Sequence, residues 1–397
     1  MNFTVYPQVS RYTSGSYPEG YNRLYYMTEE LRTTADKPKI RHPKPVLIVS
    51  KDSVTRYRIF LQHLLLGLVD NSISPIIICP PQCNLDSVAL PAVEIIEHPF
   101  LNIPLIFNNK NNKILHESIL KSKPNIIHCL CPTKARFAGK LSKTTNLSYV
   151  LSLNSLEKHP KTPAISSKRC SAVLLPTKNI AENFAKLYPR LSSKIRQINI
   201  GTFAQPQVDC LKKINQTVSI VTAINSTHTE KTESLLSAIR HLAIDGYEFM
   251  LVIIASGKSE KPLRKLIHEL ALVQTVTIIP QTFPWQNILS GSDIFIQPIP
   301  DNSFNPMLLE AMAAGLAVAG CKSGADDLII ENETAVVFDP QDELSIYSSI
   351  QKLLNERDFA RKLAQNNLEM IRKYHSVSSM VNEIIDVYDQ TLNQDKA

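Results

Sequence analysis

The chain has 397 residues, 44 % of them hydrophobic and 20 % charged, with a net charge of +7. That length exceeds one ordinary core and suits two domains of roughly 200 residues each. No apolar run reaches the roughly 20 residues that span a bilayer, and residues 1–44, rich in tyrosine and charge, lack the apolar stretch of a secretory signal, so a cytoplasmic protein is expected. Seven scattered cysteines, an odd number and mostly within apolar runs, read as reduced thiols.

The pattern of elements begins with a short apolar strand over 46–50, a loop over 51–58 and an amphipathic helix over 59–68. The alternation recurs, with strands over 75–79, 93–96, 125–129, 149–153 and 172–176 and helices over 134–141 and 178–188. The half closes at 195–200, and Gly201 ends it. Residues 202–216 have no clear period and read as a linker. A second series starts with a strand at 218–223 and a helix at 234–242, then a strand at 249–255 and a helix at 263–272. Further strands are expected at 276–279, 294–298, 317–320 and 335–338, and three helical patterns close the chain, the last over 377–392. Wholly apolar strands alternating with amphipathic helices imply parallel sheets covered on both faces.

Charge divides unevenly. Residues 1–200 hold 27 Lys and Arg against 12 Asp and Glu, whereas 201–397 hold 16 against 24. A basic first half suggests an anionic surface opposite it. The basic stretch of Lys110, Lys113, Lys121, Lys123, Lys134, Arg136, Lys140 and Lys143 has no interleaved aromatics, which argues against single-stranded nucleic acid. It leaves two readings, a solvated helix face and peripheral contact with an anionic membrane at its inner face. His128, Cys129 and Cys131 lack a second ligand pair at a zinc-like spacing, so no metal is expected. Glycine, at 11 residues, is scarce for a fold whose phosphate loops need close backbone approach.

The strings DIFIQP at 293–298 and FNPMLLEAMAAGLAV at 304–318 resemble the signature of the retaining GT-B glycosyltransferases known as family 4. ENETAVVFDP at 331–340, KIRQINIG at 194–201 and PNIIH at 124–128 extend the likeness over most of residues 45–392. The resemblance implies an α/β fold of two facing Rossmann-like domains. Its boundaries would be an extension over 1–44, an acceptor domain over 45–201, the linker over 202–216, a nucleotide-sugar domain over 217–376, and a helix over 377–397 crossing back to the first. It also implies transfer of a sugar from a nucleotide-diphosphate sugar to a glycan, lipid or small-molecule acceptor, with retention and without metal or cofactor. Such transfer needs cations and helix N-termini at the departing diphosphate.

The resemblance assigns roles residue by residue. Glu310 matches the second Glu of the family's Glu-x7-Glu motif and suits ribose hydroxyls. The first Glu is replaced by Asn302, at the catalytic position. Phe304 and Asn305 lie at the donor turn, where Pro306 removes a backbone donor. Ala311, Ala314 and Gly315 are explained by close helix packing. The family's phosphate-binding Arg falls on Asn225 and its Lys on Glu230 or Lys231; Lys231, Lys258 and Arg264 are the candidate phosphate cations. On the acceptor side, 50–56 replaces a glycine-rich loop and brings Arg56, and Asn154 replaces a His. Two functions fit these residues: an active glycosyltransferase, favoured by Glu310 and the C-terminal signature, and an inactive GT-B scaffold, favoured by Asn302, Asn225, Asn154 and the glycine poverty. A phosphorylase or sugar-nucleotide epimerase on the same fold is a third reading.

Overall fold

The computed structural model describes residues 42–394 apart from 84, 86–87, 89, 100–104, 157–164, 167, 213–215, 225–231, 256–258, 282–284 and 326. Residues 1–41 of the expected N-terminal extension therefore lie outside the described residues, as does the helix expected at their end. From His42 onward the chain forms one compact unit that carries two separate, wholly parallel sheets.

The first sheet takes β1 (Pro45–Ile48), β2 (Ile76–Cys79), β3 (Glu94–Glu97), β4 (Ile126–Cys129), β5 (Tyr149–Ser152), β6 (Cys170–Leu175) and β7 (Ile195–Gln197) in the order β3-β2-β1-β4-β5-β6-β7. Strands β1, β2, β4 and β5 are buried at every position, whereas β3 exposes both of its glutamates at the sheet edge. Both faces of the inner strands therefore need cover, as their unbroken apolar sequences require. The helices of this half are α1 (Lys51–Arg56), α2 (Arg58–Asp70), α3 (Leu105–Ser122), α4 (Ala135–Thr145) and α5 (Lys178–Leu187).

Helix α1 corrects the loop expected over 51–58. Ser50 caps it by accepting from the Ser53 N–H at 3.1 Å, while the Ser53 hydroxyl accepts from the Ser50 N–H at 2.8 Å. This reciprocal cap normally uses Glu or Gln at the third helical position, and the Ser-x-x-Ser spacing hides it. The helix turns aside at Tyr57, which becomes the corner between α1 and α2.

The second sheet takes β8 (Val218–Ile224), β9 (Phe249–Ala255), β10 (Val276–Pro280), β11 (Ile294–Gln297), β12 (Ala317–Gly320) and β13 (Val336–Val337) in the order β10-β9-β8-β11-β12-β13. Its helices are α6 (Glu233–Ile244), α7 (Glu260–Glu269), α8 (Gln286–Ser290), α9 (Pro306–Ala313), α10 (Glu343–Asn355) and α11 (Arg357–Tyr374). Helix α9 ends at Gly315, whose φ of +77° suits glycine alone among ordinary residues. The Leu316 N–H reaches back to the Ala311 carbonyl and that of Gly315 to Met312, a Schellman close. The AAG triplet thus serves the end of this helix as well as its packing.

Two strands of chain cross between the halves side by side. The Thr202 N–H donates to the His375 carbonyl at 2.8 Å, Thr202 bridges Ser376, and the Asn199 amide donates to the Tyr374 carbonyl at 3.0 Å. A Cβ on Gly201 would lie 2.5 Å from the Ser376 carbonyl oxygen, so glycine is required here by close approach. Past this crossing, α12 (Val377–Gln394) returns to the first half. It lies against α2, with Gly67 opening room for Val381. The buried Tyr388 hydroxyl meets His128 Nδ1 at 2.6 Å, and His128 Nε2 meets the Ser152 hydroxyl at 2.7 Å. Burial pushes the His128 imidazole down to about 3, so it stays neutral, with one nitrogen donating and the other accepting. Both ring nitrogens are engaged, which removes His128 from any metal set.

Candidate functional site

In the second sheet the chain leaves β8 toward β9 on one side and returns to β11 on the other. The loops beyond the carboxyl ends of β8 and β11 therefore diverge, which is where open parallel sheets hold ligands. A small cavity, open to solvent on one side, lies there between Ala223 and Ile224 of β8, Gln297 of β11, and Ile299, Asp301 and Asn305 of the following loop.

The N-terminus of α9 faces this loop. Pro306 has no N–H to offer, and Asn305 takes the next two, its Oδ1 accepting from Met307 at 3.0 Å and Leu308 at 3.3 Å. Asn305 thus caps its own helix. Its Nδ2 is turned outward and donates to Gln297 Oε1 at 3.1 Å. Gln297 is only 2 % exposed, and its Nε2 is buried with no hydrogen-bond partner among the described residues.

The first half reaches over the same loop. Arg56, at the end of α1, forms an ion pair with Asp301. Burial opposes its charge, yet Tyr57 and Asp301 together hold the guanidinium above its ordinary value. The Tyr57 hydroxyl donates to the Phe304 carbonyl at 3.2 Å and lies 3.4 Å from that of Asn154, and burial raises its pKa. The Phe304 N–H donates to the Asn154 carbonyl at 2.8 Å and the Leu156 N–H to that of Asn302 at 2.6 Å. Ser155 and Ser303 form an antiparallel bridge between them. Beside it, the Thr177 hydroxyl donates to the Ala325 carbonyl at 2.7 Å. Segment 301–304 is therefore held by loops of the opposite half.

Glu310 lies one helical turn into α9 from its capped end. Burial pushes its carboxyl up to about 7, offset in part by the Thr202 hydroxyl. A half-buried carboxylate beside the inter-half crossing is costly to ionise without a partner, and it can meet hydroxyl donors when charged.

The structure thus brings Arg56, Asn154, Asn302, Phe304 and Asn305 into one neighbourhood, although not in the expected manner. Phe304 is wholly buried, with both backbone groups engaged, so its side chain belongs to the core and not to a donor surface. Asn305 is occupied as a cap. Asn302 is exposed and contributes its carbonyl to the pairing with Leu156. Arg264 stands exposed on α7, 3.8 Å from Glu260 in an i,i+4 pair. Asn225, Glu230, Lys231 and Lys258 lie outside the described residues. Gln297, Asp301, Tyr57 and Thr202 were not singled out from the sequence. Of these, only Gln297 carried a signal, a polar residue closing an otherwise apolar strand.

Comparison with known proteins gives this geometry its context. Residues 211–370 match the family described as Glycosyl transferases group 1. Over 131 residues, 32 % of this chain and 25 % of the relative, the sequence is 26 % identical to sulfoquinovosyl transferase of Arabidopsis thaliana. The chain spans between a quarter and just under half of the length of the curated relatives it matches. In three dimensions, 89 % of it superposes on 99 % of a glycosyltransferase from Rickettsia africae, with a TM-score of 0.72 and 17 % identity. A similar superposition covers 88 % of it and all of the Anabaena HepE chain, solved with UDP and glucose, at a TM-score of 0.72 and 13 % identity. The architecture is the GT-B fold: two parallel-sheet α/β domains.

Proposed function

We propose that this protein transfers a sugar from a nucleotide-diphosphate sugar to an acceptor hydroxyl with retention of configuration. The observation that carries the reading is the crevice at the carboxyl ends of β8 and β11, which lies within the stretch that matches the glycosyl transferases and beside the N-terminal end of α9. The HepE structure, which shares the fold, holds UDP and glucose. In this reading the Glu310 carboxylate accepts from ribose hydroxyls, and Lys231, Lys258 and Arg264 are the cations available to the diphosphate. Asn302 and Asn305 border the sugar, while Arg56 and Asn154 face the acceptor. An amide at 302 is neither base nor nucleophile, so the proton of the acceptor hydroxyl passes to the departing phosphate oxygen as its bond to the anomeric carbon breaks.

The acceptor is a glycan, a lipid or a small molecule. Arg136, Lys140 and Lys143 are exposed along one side of α4, with Ala135, Ala138 and Leu141 buried opposite, and Ile114 and Leu120 of α3 are exposed as well. These features support peripheral contact with an anionic membrane. Among the described residues no helix is long and apolar enough to cross one. The test is calorimetric titration with UDP, GDP and ADP, followed by a hydrolysis assay with the sugar nucleotides of whichever binds. Binding of one diphosphate below millimolar concentration is expected. Absence of binding by all three would refute the reading and leave a GT-B scaffold.

A further inference from the structure

We infer that Gln297 is a donor-site residue whose side-chain Nε2 hydrogen-bonds a phosphate oxygen of the nucleotide diphosphate, a role resting on the glycosyl-transfer reading above. The orientation of two amides fixes the direction of the bond. Asn305 must present Oδ1 to α9, because the N–H groups of Met307 and Leu308 both donate to it. Its Nδ2 then points to Gln297, which must answer with Oε1, at 3.1 Å. That leaves Gln297 Nε2 as a donor on the far side of its amide, buried, unpartnered among the described residues, and on a side chain that is 98 % removed from solvent. Gln297 and Asn305 both line the cavity at the switch point.

A buried amide donor with no acceptor is destabilising, and native structures retain such groups where a ligand or water supplies the partner. An oxygen acceptor is called for, and the series of bonds favours an anionic one. Helix N–H groups donate to Asn305, Asn305 donates to Gln297, and each amide polarises the next in the same sense. The positive end of α9 is thereby extended to Gln297 Nε2. In most helix-terminal anion sites the backbone N–H groups touch the anion directly. Here Pro306 lacks one and Asn305 consumes two, so the side-chain relay takes over that contact.

The experiment measures binding of UDP, inorganic pyrophosphate and uridine by calorimetry to the wild-type chain, Gln297→Leu and Gln297→Met. Both replacements have nearly the volume of glutamine and suit the apolar residues Ala223, Phe295 and Ile299 that line the same cavity, and thermal melts without ligand report whether each variant folds. Loss of one hydrogen bond to a charged acceptor should weaken UDP and pyrophosphate about ten- to a hundredfold and leave uridine unchanged. The unliganded variants lose the Oε1 that accepts from Asn305 Nδ2 along with the unpartnered Nε2, so they should stay folded and melt slightly below wild type at most. Wild-type binding with unchanged UDP affinity in a folded variant would overturn the role of Gln297 and leave glycosyl transfer standing. Equal losses for uridine and UDP would also overturn it, by showing a general collapse of the pocket. Failure of wild type to bind any phosphate ligand would remove this inference together with the reading it rests on.

Discussion

Replacing Glu310 by glutamine separates the proton linkage of the site from its shape. Burial lifts the Glu310 carboxyl from its usual 4.5 to about 7. The native state therefore holds this proton more tightly than the unfolded chain, and ionisation costs it stability. The penalty is absent below pH about 4.5, grows as pH rises toward 7 and is complete above it, at roughly 3 kcal/mol for a shift of this size. Glutamine keeps the neutral form at every pH. Denaturant unfolding should accordingly find Glu310→Gln more stable than wild type at pH 8 by up to about 3 kcal/mol, and nearly equal to it at pH 4.5. Ligand binding runs the other way. Ribose hydroxyls donate to a carboxylate, so wild-type affinity for UDP should fall about tenfold per pH unit below 7 as the carboxyl takes up its proton. UDP has a phosphate ionisation of its own near that range, and the difference between wild type and variant removes it. The variant should bind more weakly than wild type at pH 8, by about one to two orders of magnitude, and converge with it at pH 5.5. Parallel pH profiles for the two proteins would refute both the displaced pKa and the role of Glu310 at the ribose.

Gly201→Ala places a methyl group against the Ser376 backbone, 2.5 Å from its carbonyl oxygen, where no side chain can yield. We expect a loss of about 1–3 kcal/mol, read as a lower denaturation midpoint. Tyr388→Phe leaves His128 Nδ1 without its 2.6 Å partner in the core and should cost about 1–3 kcal/mol; an unchanged midpoint would show that α12 is held by apolar packing alone. Triple replacement of Arg136, Lys140 and Lys143 by glutamate should abolish flotation with vesicles rich in anionic lipid, each cation contributing about 1 kcal/mol, with no change in binding to neutral vesicles. Equal flotation of wild type and the triple variant would refute the membrane contact.

Strand positions were the most legible part of the sequence. Runs such as 46–48 and 76–78 are apolar throughout because both faces of their strands are covered, and period and composition agree there. Helix α1 was misread because serine stands where a capping glutamate is usual. The site was less legible than the fold. The resemblance placed Phe304 and Asn305 at the donor turn, but burial puts the first in the core and helix capping engages the Oδ1 of the second. Asp301 could not be foreseen as the partner of Arg56, since the two are joined only by the meeting of the halves. Gln297 carried a signal in its polarity at the end of an apolar strand, yet the role proposed for it depends on which way the Asn305 amide faces, and that is fixed only in the folded chain.

Glycine scarcity reads as a sign of decay of a phosphate site, and at 301–305 the structure shows how a turn without glycine is held. A glycine-rich turn lets backbone approach a ligand because it is free to adopt the needed angles, and that freedom must be lost on binding. In this chain segment 301–305 is fixed beforehand. Asp301 is held by Arg56, Asn302 by Leu156, Ser303 by Ser155, Phe304 by Asn154 and Tyr57, and Asn305 by its own helix. Four of these five restraints come from the opposite half. The order that a glycine-rich turn acquires on binding is supplied at 301–304 by contacts with the opposite half. Separating the two halves would break these contacts, so a ligand that requires 301–304 in this arrangement would favour the halves staying together.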